Sequence, residues 1–80
     1  MKNVEVNAVR FINKKGIKSV PRAITIDNQR YAFIDSGVQY LIQQGQHFIR
    51  LFDLTDGHRQ FRLRLEDDVW SLVGIKALPR

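Results

Sequence analysis

The chain has 80 residues, a formal net charge of +5 and no cysteine. A chain of that length forms one domain and buries only a little over ~60% of its unfolded surface. The lack of thiols excludes disulfides, thiolate zinc sites and cysteine nucleophiles, and fits a reducing cytoplasm.

No apolar run approaches the ~18 residues of a membrane span. The start, MKNVEVNAVRF, is interrupted by Glu5, Asn7 and Arg10, where a signal peptide needs an apolar region. The expectation is a cytoplasmic protein whose residues 1–80 make a single small β domain, with no membrane contact. Charge is unevenly spread. Residues 1–22 hold Lys2, Arg10, Lys14, Lys15, Lys18 and Arg22 against Glu5, whereas residues 23–80 hold seven bases and seven acids. The net charge therefore falls entirely in the first quarter. A basic segment on a neutral body is one footprint of polyanion binding, and equally that of a solubilising terminus.

In chain order, VEVNAVRFI (residues 4–12) reads as a strand. Val4, Val6 and Ala8 share one face, while Val9 and Phe11 fall on the other. That change of parity predicts a bulge near Ala8-Val9, or a strand covered on both sides. NKKGIKSV (residues 13–20) is a polar connector ending at Pro21. Its Lys14, Lys15 and Lys18 are candidate phosphate contacts, although the spacing does not match a P-loop.

From residue 23 onward, apolar alternation and closely spaced turn signals predict a series of hairpins. A turn at 28–29 pairs Ile26 with Tyr31 and Ile24 with Phe33. A turn at 36–37 pairs Phe33 with Tyr40. A turn at 44–45 pairs Tyr40 with Ile49. A three-residue loop, Thr55-Asp56-Gly57, with its glycine in the left-handed conformation, pairs Asp53 with Arg59, Leu51 with Phe61 and Ile49 with Leu63. A turn at 67–68 pairs Leu65 with Trp70 and Leu63 with Leu72. Residues 36–44 also read as a short helix, because Ser36 and Gln39 match a capping box and Gly45 follows the end.

This register gathers Ile24, Ile26, Tyr31, Phe33, Tyr40, Ile42, Ile49, Leu51, Phe61, Leu63, Leu65, Trp70 and Leu72 on one face. A one-residue slip would send a strand's apolar set to the other face. The fold class is all-β: a six- or seven-stranded antiparallel meander closing into a small barrel or a curved two-layer sheet. Closure would remove exposed sheet edges.

The opposite face carries Ile34, Leu41, Phe48, Phe52 and Val73 with Arg50, Arg62 and Arg64 among them. Arg50 falls opposite Arg62, an unfavourable pair of like charges that calls for a shared anion or an acidic neighbour. Aromatic rings stack on bases, and guanidinium groups hold phosphates. The plainer readings are that the N-terminal strand covers Phe48 and Phe52 with Val9 and Phe11, or that the arginine stems lie along the rings.

Chemistry is sparse. His47 and His58 are the two histidines and form no paired-ligand motif, and Glu66-Asp67-Asp68 reads as a solvated turn. Ser19, Ser36 and Ser71 lack a nucleophile motif. The expectation is no enzyme, no metal and no cofactor. The sequence favours a non-catalytic module that binds nucleic acid through Lys14, Lys15 and Lys18 and through Phe48, Arg50, Phe52, Arg62 and Arg64. The alternative is a protein-interaction or self-associating module that uses the same apolar face.

Overall fold

In the computed structural model, residues 2–12, 18–35 and 37–79 are described, apart from the side chains of residues 8, 10–12, 18 and 19. Lys14 and Lys15 lie outside the described residues, and Lys18 is described in its backbone alone. The strands are β1 (Lys2–Asn3), β2 (Glu5–Ile12), β3 (Lys18–Ile26), β4 (Gln29–Ala32), β5 (Val38–Gln44), β6 (His47–Thr55), β7 (Arg59–Glu66) and β8 (Val69–Ala77). All pairs are antiparallel. They form a five-stranded sheet, β1-β8-β7-β6-β5, and a three-stranded sheet, β2-β3-β4. Residues 38–44 are strand, not helix, and no helix among the described residues is long and apolar enough to cross a membrane.

The architecture is a two-sheet structure and not a closed barrel, with eight strands in place of six or seven. The expected β4–β5 hairpin does not form. Instead the Phe33 N–H bonds the Arg22 carbonyl at 2.7 Å in the small sheet, and the next N–H, of Ile34, bonds the Thr55 carbonyl at 3.0 Å in the large one. The chain thus changes sheet between two adjacent residues, and no ladder joins β4 to β5. Gly37 follows in the left-handed conformation (φ 62°), packed against the backbone of Asp53.

Three hairpins keep the expected side-chain parity. Ile24 faces Tyr31, Ile42 faces Ile49, and Leu65 faces Trp70. The first turn is Asp27-Asn28 and the last Asp67-Asp68, each pair with positive φ. Asp and Asn tolerate that conformation better than other non-glycine residues, because their short side chains bond locally. The first turn falls one residue earlier than expected, and the last falls where expected. The irregularity expected near Ala8-Val9 is present, with shifts on either side of Ala8.

The β6–β7 hairpin departs from expectation, and its departure moves the core. Four residues, 56–59, separate the last paired residues, Thr55 and Gln60. The Thr55 hydroxyl accepts from Gly57 N–H at 3.0 Å and donates to the Arg59 carbonyl at 2.8 Å. Asp56 Oδ1 accepts from the N–H groups of His58 and Arg59 at 2.9 and 2.8 Å. These local bonds organise a loop one residue longer than the position of Gly57 suggested. One residue reverses the parity of β6 against β7. Phe52 now faces Leu63, and Leu54 faces Phe61.

The core therefore joins Val20, Ile24 and Ile26 of the small sheet to Phe52, Leu54, Phe61 and Leu63 of the large one. Phe61 sits with its ring centroid 5.1 Å from that of Tyr31 and 5.4 Å from that of Phe33. Phe52 lies 5.1 Å from Trp70. Tyr40, Ile42, Ile49 and Leu51, expected inside, lie on the reverse face of the large sheet. Of these, Ile49 alone is buried.

Candidate interaction surface

The longer loop also re-pairs the charges. Arg62 falls opposite Asp53, and Arg50 opposite Leu65, so the expected Arg50–Arg62 clash does not exist. The Arg62 guanidinium grips Asp53 bidentately, Nε to Oδ1 at 2.7 Å and Nη2 to Oδ2 at 2.8 Å. Its carbon lies 5.8 Å from the centroid of the Tyr40 ring. Asp53 is buried beneath this arrangement. The bonds from Arg62 hold its carboxyl below the ordinary value against the opposing effect of burial, with Tyr40 and Lys76 adding to the lowering. Arg62 is raised in return by Asp53.

Arg64 pairs with Glu66, and Glu66 also meets His47. Arg50 is half-buried. Its Nε and Nη2 donate to Gln39 Oε1 at 3.1 and 2.9 Å, its carbon lies 4.9 Å from the centroid of the Phe52 ring, and burial lowers its pKa. The three arginines expected to form a cationic platform are thus each engaged within the chain. Phe52, expected to stack on a base, is fully buried in the core, while Phe48 is 52% exposed. The N-terminal strand does not cover Phe48; β2 pairs with β3 in the other sheet.

Two smaller features arise where strands meet. A cavity of about 310 Å³ lies over the β7–β8 irregularity, where Gly74 opposite Arg62 contributes no side chain. Gln60, Arg62, Val73 and Lys76 line it, with Asp53 at its base. Its acid is already held by Arg62, which leaves no free acid–base pair there. His47, Glu66 and Asp67 bring three potential ligand atoms within 4.8 Å of one another. Arg64 already neutralises Glu66, so the group reads as an exposed ion-pair network.

The most distinctive surface is β5. It forms one edge of the five-stranded sheet. Val38, Tyr40, Leu41 and Ile42 are all exposed, Leu41 by 55%, with Phe48 beside them on β6. Val38, Tyr40 and Ile42 point to one face of the sheet, and Leu41 and Phe48 to the other. Its sequence, VQYLIQQ, carries no charge, alone among the eight strands. Natural sheet edges are commonly guarded by lysine, proline, a bulge or a covering segment, since their unpaired N–H and C=O groups invite another strand. Among the described residues, none of these devices is present along β5.

Asp53 escaped sequence reasoning because the shorter loop set it opposite Arg59. The signal was nevertheless there: a loop one residue longer that also starts one residue later, 56–59 in place of 55–57, replaces an arginine–arginine pair with an arginine–aspartate pair. No family model matches the chain, and neither a curated protein nor a solved structure matches it significantly.

Proposed function

We propose that the chain is a non-catalytic interaction module that receives an extended polypeptide strand along β5. The observation that carries this reading is an edge strand, apolar on both faces and free of charge. Strand addition draws affinity from main-chain hydrogen bonds and specificity from alternate side chains. Here Leu41 and Phe48 would meet the added strand on one face, and Val38, Tyr40 and Ile42 on the other. The test is fluorescence anisotropy with a labelled peptide of the sequence of residues 38–44, titrated with protein. Saturable binding is expected, weakened at least ten-fold by Val38→Lys combined with Leu41→Lys, which places a charge on each face of the edge. Both positions are exposed, so the fold should survive. Absence of binding up to ~100 µM, equivalent to about −5.5 kcal/mol, would remove the reading.

A second reading keeps nucleic acid as partner and rests on the charge distribution. The net +5 lies within residues 1–22, including Lys14, Lys15 and Lys18. With Phe52 in the core and Arg62 and Arg64 paired to carboxylates, this reading relies on electrostatics, with Phe48 the remaining ring. Its affinity should fall linearly in log–log against salt, with a slope of about −0.7 to −0.9 per phosphate contacted. Replacing the three lysines by glutamine should abolish it. An unchanged affinity in that variant would refute it.

A further inference from the structure

We infer that the strand received by β5 is the β5 of a second copy of this chain, so that two five-stranded sheets join into one continuous ten-stranded sheet. The inference rests on the strand-addition reading and names its occupant. Antiparallel pairing of two identical edge strands requires a two-fold axis perpendicular to the sheet. That axis keeps each face continuous and confines partners to residues of equal parity, and it gives an isologous, closed interface. Centring the axis on Leu41, the middle of Val38–Gln44, uses all seven residues.

In that register Leu41 meets Leu41, Tyr40 meets Ile42, Gln39 meets Gln43, and Val38 meets Gln44. Tyr40–Ile42 is an aromatic–β-branched cross-strand pair, a favourable class, and the symmetry makes it twice. Gln39 Oε1 accepts from Arg50 and Gln43 Nε2 donates to the Gly45 carbonyl, so across the axis the Gln39 amide N–H would donate to Gln43 Oε1. A charge anywhere on β5 would be brought to the joint in two copies, and β5 has none. The surroundings agree. Residues 23–80 are electrically neutral, and the excess positive charge lies in residues 1–22. Of that segment, β1 stands at the opposite edge of the sheet, four strands or roughly 19 Å from β5.

The test combines sedimentation with a cysteine cross-link, which the cysteine-free sequence makes unambiguous. Wild-type protein at ~100 µM should sediment at close to twice the 9.4 kDa chain mass and dissociate on dilution. Leu41→Cys should be joined to itself by a short bis-maleimide, since directly opposed Cα atoms lie within ~5.5 Å. Val69→Cys, exposed at the β7–β8 turn, should stay uncoupled. Leu41→Lys should return the protein to monomer. A wild-type monomer at that concentration, with no cross-link in Leu41→Cys, would overturn the inference. So would a dimer that survives Leu41→Lys and leaves Leu41→Cys uncoupled. If the monomer still binds the β5 peptide, the second copy fails and the strand-addition reading stands; if it binds neither, both fail.

Discussion

Substituting Phe52 and Phe48 in parallel tests the parity on which the core and the surface both depend. The two residues lie four apart on β6 and look equivalent in sequence. Phe52 has no exposure and packs on Trp70, whereas Phe48 is half exposed. Alanine at a buried phenylalanine costs ~3–5 kcal/mol. That is a large part of the roughly 4–12 kcal/mol that a chain of this size holds in total. Leucine is the better probe. It loses about 1–2 kcal/mol of burial, and the lost ring–ring contact adds ~0.5–1.5 kcal/mol. Phe52→Leu should therefore cost about 2–3 kcal/mol, and Phe48→Leu within ~0.5 kcal/mol of nothing. In urea, with a slope near ~1 kcal/mol per molar for so small a domain, the midpoint should fall by ~2 M in the first and by under ~0.5 M in the second. If Phe52→Leu shifts the midpoint as little as Phe48→Leu does, β6 pairs one residue out of the register described. The Asp53–Arg62 pair and the exposed face would then be wrong together.

Other consequences follow from single sites. A Cβ on Gly37 would lie 2.1 Å from the Asp53 carbonyl oxygen, so Gly37→Ala should cost well beyond the ~1–2 kcal/mol of a left-handed alanine; at Gly45, with nothing within 4 Å, that smaller cost should be the whole effect in thermal melts. Burial pushes the Asp56 carboxyl up, but the His58 and Arg59 N–H groups bring it below its usual value, and Asp56→Ala should lose about 1 kcal/mol in denaturant titration by leaving both unbonded. Asp53 is lowered in the folded state, so its contribution is complete above the unfolded value of ~3.9 and is lost as pH falls through the folded one. Stability measured from pH 5 downward should fall less steeply in Asp53→Asn than in the parent, and equal slopes would show that Arg62 does not stabilise the carboxylate.

Much of the strand content was legible because alternation and turn residues are local signals. The Asp67-Asp68 hairpin is the clearest case: Leu65 faces Trp70 as its sequence implies. Ile24, Ile26, Phe61 and Leu63 were placed in the core for the same reason. Two features were out of reach of local pattern. The sheet change at Phe33-Ile34 depends on which distant carbonyls, Arg22 and Thr55, receive two successive N–H groups. The length of the 56–59 loop depends on hydroxyl and carboxylate bonds from Thr55 and Asp56, which compete with the glycine rule. Both rings assigned to the outer face, Phe48 and Phe52, lie on the core-facing side of β6, because both inherit the parity error; Phe52 is buried there, and Phe48 is 52% exposed beside the β5–β6 turn.

That error bears on what kind of partner the protein can have. An arginine platform for polyanions needs guanidinium groups with free hydrogen-bond forks. On this sheet Arg62 uses both arms on a buried carboxylate, and Arg64 is matched to Glu66. Releasing Arg62 to a phosphate would leave Asp53 buried without its counter-charge, a cost that an outside ligand must first offset. Along β5 no such debt exists. Its side chains are apolar or neutral, and an incoming strand would find alternate N–H and C=O groups along a sheet edge that no described strand pairs. On physical grounds, the sheet resists rearrangement where it carries charge, and the proposed strand addition falls where it carries none.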